Sequence, residues 1–547
     1  MADKSFDIVI VGAGNKVSVT AMYLTKYGGL SVGLFEDRHE AMAGWCGEEI
    51  PAPGCLMNQC SHYHVDVINF HKPLWADFPE WKEYGAKYNI PKLSMAFIDK
   101  EEEKWCGFYS ANHDPTQEKT AQLISRFSQK DADTWLWLFD KIVKYWQPAV
   151  LDWVFNPPPP AGEPDALEKL VANPAAGIKP EWIAMTAIEV YQDLFENPFV
   201  QGVFARGIQS GAIQPDLPGQ GLLALFMLCL WTNGGWVKGG THQLAHATQR
   251  VITENGGKIF NRATVVKVLI ENGRATGIRL ADGTEIEARK AVLTGVDPHQ
   301  VVFELTGEEH FDEKDVKIIK NLQYDYNAAM WYSWVLNEPI RYKAEAFDPD
   351  IIHCGWTICG SKDLSKVTEE QIDRRNMKWP NPEHFQLIIS DPSRMDPSFA
   401  PPGKYGGIIT EEYVLPAHAL SDAEWKIKEK EHAHEVINHV SQYCPNFNWD
   451  NVHAYGAVTP QTQSMHSKSW GKSGNWMVID LIPSQTGRNR PTPNLSGGKT
   501  PIKGLYCSGA GYHPFGWAHS FQGYWMYKVL AKDFGLRKPW EEQGRSL

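Results

Sequence analysis

The order of apolar and polar positions in the first forty residues predicts a nucleotide-binding type of α/β unit. Residues 6–11 (FDIVIV) form a continuous apolar, β-branched run, as in strands buried in a parallel sheet. A helical stretch at about residues 17–27 follows, and a second apolar run, residues 31–35, ends at Glu36. This order of strand, helix and strand predicts a Rossmann-like, doubly wound sheet.

The rest of the chain predicts a second part built on another sheet. From residue 258 the pattern changes to short strands with Asn-Gly and Asp-Gly turns, which predict a β-meander that completes the first sheet. The Pro-rich stretch at 157–164 is typical of a loop. The other expected elements are helices at 134–155, 181–199 and 421–443, and strands at 330–336, 386–390 and 407–414.

A glycine turn, Gly12-Ala13-Gly14, separates the first strand from the first helix. Gly12 permits a tight turn, and Gly14 lets the backbone approach a pyrophosphate at the positive end of the helix. Glu36 follows Gly12 by 24 residues and is placed to accept hydrogen bonds from a ribose. The third position of the fingerprint is Val17, so we expect a helix slightly farther from the strand. These features predict a dinucleotide site; the alternative is a purely structural glycine turn.

Composition narrows the class of ligand. The 547 residues carry a net charge of −12, which disfavours nucleic acid as a partner. The 22 Trp, 23 Phe and 20 Tyr indicate either an aromatic core or a cavity for an apolar ligand. The nine cysteines contain no CxxC pair, and the spacing of Cys46, Cys55 and Cys60 matches no common zinc site. We therefore expect structural thiols and no metal.

Targeting signals are not evident in the sequence. The N-terminus lacks the features of a signal peptide, and no apolar run reaches the roughly 18 residues of a membrane span. Residues 221–231 (GLLALFMLCLW) predict a buried helix or a surface helix that dips into lipid. The expectation is a cytoplasmic protein, with peripheral membrane contact left open.

Three segments carry a resemblance to a known family. Residues 7–44 contain Glu36-Asp37-Arg38 followed by Ala43-Gly44, residues 238–299 run from KGGTHQLAHATQ to GVDPH, and residues 485–530 contain Gln485, Arg490-Pro491 and GLYCSGAGYHP. They resemble the phytoene dehydrogenase-like FAD-dependent oxidoreductases, which include carotenoid desaturases, ketolases and retinol saturase. No second glycine fingerprint follows a strand, so a separate NAD domain is not expected.

The resemblance implies the fold and its division along the chain. The fold would be α/β, with a Rossmann-like FAD-binding domain of the amine oxidase and phytoene desaturase type assembled from both chain ends, and a mixed α+β substrate domain. The FAD-binding parts would be residues 1–70, 236–305 and 486–547, and the substrate-domain parts would be residues 71–235 and 306–485.

The resemblance also implies the cofactor, FAD, and the residues that hold it. The ADP half would be held by Gly12, Ala13, Gly14, Glu36, Asp37, Arg38 and Gly44, with backbone contacts from Val265 to adenine. The pyrophosphate and isoalloxazine would lie along Gly509, Gly516, Trp517 and Ala518. Bulky Phe515, Trp517 and Phe521 replace glycines of the family, so we expect a smaller cavity at the flavin face.

Candidate acid–base residues are His62, His64, His513 and His519, of which His513 and His519 lie in the flavin-facing segment and are the predicted catalytic residues. The function expected is an FAD-dependent oxidoreductase that desaturates, saturates or isomerises a CH–CH or C=C bond of a hydrophobic isoprenoid, terpene or alicyclic substrate. The electron acceptor is open between oxygen, a quinone and a soluble carrier. The alternatives are a flavin amine oxidase and a catalytically inactive scaffold with this fold.

Overall fold

The computed structural model describes residues 4–547. The first three residues of the predicted segment 1–70, and with them the N-terminal end at which no targeting signal is expected, lie outside the described residues.

The first sheet brings both ends of the chain together. Four of its strands lie side by side and parallel, and the first half of the fourth pairs antiparallel with the meander while its second half pairs parallel with a strand from the C-terminal end. In spatial order the strands are Lys258–Phe260, Val32–Phe35, Ser5–Val11, Glu285–Thr294, Arg274–Leu280 and Val265–Glu271, with Leu505–Cys507 on Glu285–Thr294.

Three helices cover one face of this sheet. Asn15–Lys26 packs against both His242–Glu254 and Phe521–Phe534. The contact with Phe521–Phe534 is close because Gly523 lets the helices approach, and Thr20 Oγ1 donates to its carbonyl at 3.1 Å. The C-terminal helix therefore helps to fix the first helix in place.

The second sheet also has seven strands and stands opposite the first glycine turn. All neighbouring pairs are antiparallel except Thr357–Gly360 and Leu93–Asp99, which are parallel. The spatial order is Val452–Val458, Ala329–Leu336, Tyr405–Tyr413, Leu387–Ser390, Thr357–Gly360, Leu93–Asp99 and Lys104–Tyr109. The three strands expected at 330–336, 386–390 and 407–414 all belong to it.

A helical layer lies between the two sheets in sequence, and one expected helix is broken in it. Residues 134–155 are helical as expected, within Gln129–Lys141, the π-turn Ile142–Trp146 and Gln147–Phe155. The single helix expected at 181–199 is wrong: Thr186 starts Ala187–Leu194 with a capping box, and Asn197 caps a new helix that begins at Pro198. The layer also contains Glu118–Ser125, Ala166–Val171, Pro198–Ser210 and Gly221–Leu228.

The remaining elements are short or peripheral. Two small sheets pair Gly47–Ala52 with Cys55–Asn58, and Gly235–Val237 with both Tyr63–His64 and Tyr88–Asn89. The other helices are Val67–Asp77, Pro79–Glu83, Glu313–Lys320, Leu364–Arg375, Asp422–Val440, Pro460–His466 and Pro539–Glu542. Within residues 4–547, a helix with the length and apolarity needed to cross a bilayer does not occur.

Candidate active site

A cavity of about 460 Å³ lies where the first sheet, the second sheet and the helical layer meet. Both expectations for the aromatic excess are met, because nine tryptophans are completely buried in the core while others line the cavity. The tryptophans of the wall are Trp231, Trp331, Trp356, Trp470, Trp476 and Trp517.

Two glycine turns expose backbone at one end of the cavity. In the first glycine turn, residues 12–14, Gly12 has a φ of 79°, and a Cβ on Gly14 would meet no atom within 4 Å, so this position opens into free space. The helix that follows has no side-chain cap at Gly14. In the second glycine turn, residues 509–511, Gly509 has a φ of 127°. Both turns therefore present backbone N–H groups without side chains in front of them.

The bulk of Val17 is accommodated by a glycine on the neighbouring strand. A Cβ on Gly295, directly after the strand Glu285–Thr294, would lie 2.6 Å from Val17 Cγ2. The close approach of helix and sheet is thus kept, with the small residue on the strand side and the large one on the helix.

Glu36 closes the first turn and prepares a slot for a planar group. Its Oε2 accepts from the backbone N of Ala13 at 2.7 Å, and its Oε1 accepts from the backbone N of Arg38 at 3.1 Å. The chain at Ala263 runs alongside and donates to the carbonyl of Glu36 at 2.8 Å. Asp37 accepts from the hydroxyl of Thr264, and Val265 lies on the cavity wall.

Two cationic side chains in this region are incompletely paired. Lys16 is 6% exposed, and its Nζ is 3.5 Å from Asn15 Oδ1 and from the carbonyl oxygen of Gly516. Burial, with a smaller contribution from Arg490, lowers the pKa of Lys16 to about 7. Arg38 has a buried Nη1 with no hydrogen-bond partner among the described residues. An anionic group such as a pyrophosphate would satisfy both charges, so the residues present fit a dinucleotide.

The segment after the second glycine turn forms the next part of the wall. Trp45 Nε1 donates to the carbonyl of Ala518 at 2.7 Å, and Trp517 Nε1 donates to that of Gly211 at 3.1 Å. Of the three bulky residues expected to narrow the cavity, Trp517 lines it. Phe515 and Phe521 instead pack into the aromatic core beside Trp153 and Phe70, so the narrowing is smaller than expected.

A chain of three polar side chains ends at the cavity in a free imidazole nitrogen. His71 Nδ1 is 3.0 Å from the carbonyl oxygen of Val67 and therefore carries a proton, which leaves Nε2 as an acceptor for the Tyr88 hydroxyl at 3.1 Å. Tyr88 then accepts from His64 Nδ1 at 2.8 Å. His64 Nε2 is consequently a lone pair, and it has no partner among the described residues.

The two histidines expected to be catalytic lie in different surroundings. His519 lines the cavity, its ring centroid is 5.3 Å from that of His64, and its Nδ1 has no partner in the described part of the chain. His513 contributes nothing to the described wall and pairs its Nε2 with the carbonyl of Trp153 at 2.9 Å. Burial lowers the pKa of His64, His519 and His513 below the usual value, so these rings are neutral at pH 7.

The opposite wall belongs to the second sheet and is mostly apolar. Met95, Met227 and the rings of Trp331 and Trp356 line it. One carboxylate breaks this surface: Glu411 Oε2 is 2.8 Å from His62 Nε2, and the His62 ring stacks on Trp356 with centroids 5.4 Å apart.

Sequence reasoning missed several residues that shape the cavity. Lys16 stood in the first helical turn after the glycines, where its proximity to an anion site was a usable signal. Glu411, Gly295 and Tyr88 carried no such signal, because Glu411 sits within an apolar strand pattern and the others meet the site only through tertiary contacts.

Comparison with known proteins places the chain among flavoenzymes. No protein-family model matches it. One of the two chains of limonene dehydrogenase from Castellaniella defragrans is 23% identical over 553 residues, covering 98% of this chain and 97% of the relative. The mouse pyridine nucleotide-disulfide oxidoreductase domain-containing protein 2 is 26% identical and covers 93% and 90%. The neurosporene-forming phytoene desaturase of Rhodobacter capsulatus is 25% identical and covers 50% and 49%.

Solved structures share the fold. An oxidoreductase from Methanosarcina mazei matches with a TM-score of 0.58 at 17% identity, covering 95% of this chain and 99% of that one. Putrescine oxidase bound to putrescine matches with a TM-score of 0.58 at 15% identity, covering 97% and 98%. Together with the two glycine turns, the acid at Glu36 and the sheet built from both chain ends, these relationships show that the chain belongs to the phytoene dehydrogenase-like FAD-dependent oxidoreductases.

Proposed function

We propose that this enzyme uses FAD to desaturate, saturate or isomerise a carbon–carbon bond in a hydrophobic terpene-type molecule. The observation that carries the proposal is the composition of the cavity: neutral imidazoles beside the flavin-facing segment, and an apolar, tryptophan-rich wall opposite. Names of relatives support the substrate class, since one belongs to a limonene dehydrogenase and another is a phytoene desaturase.

The cofactor would be held by groups from both ends of the chain. The first glycine turn, Lys16 and Arg38 would bind the pyrophosphate, Glu36 the ribose, and residues 264–265 the adenine. The segment 516–519 would lie along the isoalloxazine. Bound FAD supplies a hydride acceptor or donor, so the protein is left to position the substrate, exclude water and handle the proton.

Proton handling is assigned to His64, with His519 beside it. His64 Nε2 accepts a proton from the substrate, after which its Nδ1 proton can pass to Tyr88 and the hydroxyl proton to His71 Nε2. The net result moves one positive charge from the cavity wall to a histidine behind it. Because burial lowers the pKa of His71 to about 4, the relay returns the proton readily.

The substrate would be recognised mainly by burial of apolar surface. Trp331, Trp356 and Met227 offer rings and a thioether, and these groups accept a hydrocarbon without an unsatisfied polar partner. A small cyclic terpene suits the space better than a long polyene, because Trp517 occupies part of the wall at the flavin-facing segment.

The test is anaerobic reduction of the FAD-loaded protein by candidate substrates. Bleaching of the flavin by limonene-type monoterpenes is expected, and a product with one more double bond would identify desaturation. His64→Gln and His519→Gln should lower the rate at least about 100-fold with FAD retained. His513→Gln is the matched control, because this histidine is buried outside the described wall. Loss of turnover in the control alone would transfer the chemical role to His513.

The acceptor is assigned in the same experiment. Reduced protein is mixed with oxygen, with a short-chain quinone or with a soluble electron carrier, and the rate of flavin reoxidation is followed. The acceptor that restores the oxidised spectrum at the turnover rate is the functional one.

A second candidate function is oxidation of an amine, and Glu411 is the observation that favours it. A carboxylate among tryptophan rings is a recognition site for a cation, although its pairing with His62 already satisfies one oxygen. Hydrogen peroxide release with amines, lost in Glu411→Gln, would support this function. Bleaching by terpenes that is unaffected by Glu411→Gln would exclude it.

A further inference from the structure

A cluster of two cysteines and a histidine lies against the adenosine end of the cavity. The Sγ atoms of Cys46 and Cys60 are 3.6 Å apart, and His466 Nε2 is 3.3 Å from Cys46 Sγ and 3.6 Å from Cys60 Sγ. Cys60 lines the cavity and Cys46 is buried behind it. The three residues come from two distant parts of the chain, and the proposed flavin chemistry uses none of them.

Arg38 fixes the proton on the histidine. Its Nη2 donates to His466 Nδ1 at 3.3 Å, and a guanidinium has no acceptor atom. His466 Nδ1 is therefore a lone pair, so the proton of the neutral ring sits on Nε2. This N–H points at the two sulfur atoms, with Cys46 the nearer. The ring thus donates a hydrogen bond to sulfur, which is the arrangement that stabilises a thiolate.

The same tautomer argues against a metal ion. Two thiolates and an imidazole at these separations resemble three corners of a tetrahedral zinc site. A ligating nitrogen must be free of a proton, however, and the other ring nitrogen of a zinc ligand normally donates to a carboxylate or carbonyl. Here the other nitrogen accepts from a cation, which is the reverse of that pattern.

The two sulfur atoms differ in character. The hydrogen bond from Cys60, followed by that from His466, lowers the pKa of Cys46, while burial and the neighbouring Cys46 raise the pKa of Cys60. The pair therefore holds one thiolate and one thiol in contact. This is the combination that a peroxide-reactive cysteine and its resolving partner require.

We propose that Cys46 and Cys60 are a redox-active pair that hydrogen peroxide converts to a disulfide. The Cys46 thiolate attacks one peroxide oxygen, the O–O bond breaks, and the leaving hydroxide takes a proton from solvent to become water. Cys46 is now a sulfenic acid. The Cys60 sulfur then attacks the Cys46 sulfur, the S–S bond forms, and hydroxide leaves with the Cys60 proton as a second water. Overall, two thiols are oxidised by two electrons and one peroxide is reduced to two waters.

The disulfide would alter the adenosine end of the cofactor site. Oxidation removes the thiolate that accepts from His466 Nε2, and His466 is in turn the hydrogen-bond acceptor for Arg38. Arg38 also approaches Glu40 at 3.6 Å, so its guanidinium can shift toward that carboxylate when the histidine moves. The expected consequence is weaker retention of FAD in the oxidised protein.

The experiment treats FAD-loaded protein with hydrogen peroxide and maps thiols by mass spectrometry without reductant. A peptide linking Cys46 to Cys60, lighter by two hydrogens, is expected. Cys60→Ser should leave a sulfenic acid on Cys46 that dimedone traps, and Cys46→Ser should give neither product. Cys55 is the internal control, because burial raises its pKa, and Cys46 should be alkylated by iodoacetamide roughly tenfold faster than Cys55 at pH 6.5.

Two results would overturn the proposal. One is oxidation of Cys55 as fast as that of Cys46, with no linked peptide formed. The other is zinc bound in a one-to-one ratio in the protein as purified and lost in both Cys46→Ser and His466→Gln. Neither result depends on turnover, so the proposed activity toward terpenes can fail without affecting this test, and the reverse also holds.

Discussion

Replacing Gly295 with alanine tests how this chain tolerates a valine at the third position of its dinucleotide fingerprint. The new methyl group would lie 2.6 Å from Val17 Cγ2 and 2.9 Å from Cγ1, closer than side chains approach in folded proteins. Val17 is 1% exposed and sits in the first turns of the helix, so it cannot turn away into solvent. The helix or the strand end must move.

The cost follows from general packing energetics. Overfilling a packed contact costs about 1–3 kcal/mol, so Gly295→Ala should destabilise the protein by that amount. Val17→Ala removes two buried methyl groups and should cost about 2 kcal/mol. In the double variant the methyl of residue 295 occupies space vacated at residue 17, so the combined cost should be about 1–3 kcal/mol less than the sum of the two single costs.

Urea unfolding of the protein without added FAD, followed by tryptophan fluorescence, measures all three free energies. FAD dissociation constants are measured in parallel, because displacement of the helix also moves the first glycine turn. If the two single effects simply add, Val17 and Gly295 are not coupled and the size exchange across this contact is refuted. Ser18→Ala, at a buried neighbouring position on the same helix, serves as the control for a general loss of helix stability.

Further predictions concern the cavity. Lys16 binds an anion only when protonated; since burial lowers its pKa to about 7 and a bound pyrophosphate would raise it, FAD affinity should fall by up to about tenfold per pH unit above pH 7. Lys16→Met should bind FAD more weakly with a flat profile, measured by calorimetric titration, and a slope retained in the variant contradicts the assignment. Trp517→Ala should open the wall and lower KM for a long polyene relative to a monoterpene, in steady-state assays; an unchanged ratio places the size limit elsewhere. Tyr88→Phe should interrupt the path from His64 to His71 and lower kcat while KM stays constant.

The parts of the molecule that could be predicted are those with local signals. The run at residues 6–11, the glycines at 12 and 14, and Glu36 specify a strand, a turn and a strand end within one short stretch, so the first half of the cofactor site was predictable. The meander was equally predictable from its Asn-Gly and Asp-Gly turns. Each of these signals depends on neighbours in sequence.

The remainder depends on contacts between distant segments. Glu411 has the pattern of a surface position in a strand, yet the second sheet turns it toward His62, 349 residues earlier in the chain. His513 and His519 stand six residues apart and look equivalent, but only the path of the chain after the second glycine turn places one on the wall and the other behind Trp153. The cysteine spacing gave no warning of His466, which completes the cluster from residues far downstream.

The strand Leu505–Cys507 completes a sheet whose first strand is Ser5–Val11, and this has a consequence for biosynthesis. At translation rates of about 5–20 residues per second, roughly 25–100 s separate the emergence of these two strands. During that interval the nascent chain shows an unpaired strand edge and half a binding site, so it cannot retain the vitamin-derived cofactor. Holoenzyme formation must therefore wait for release from the ribosome, and a stop codon that removes only the last tenth of the message would yield a colourless, aggregation-prone product.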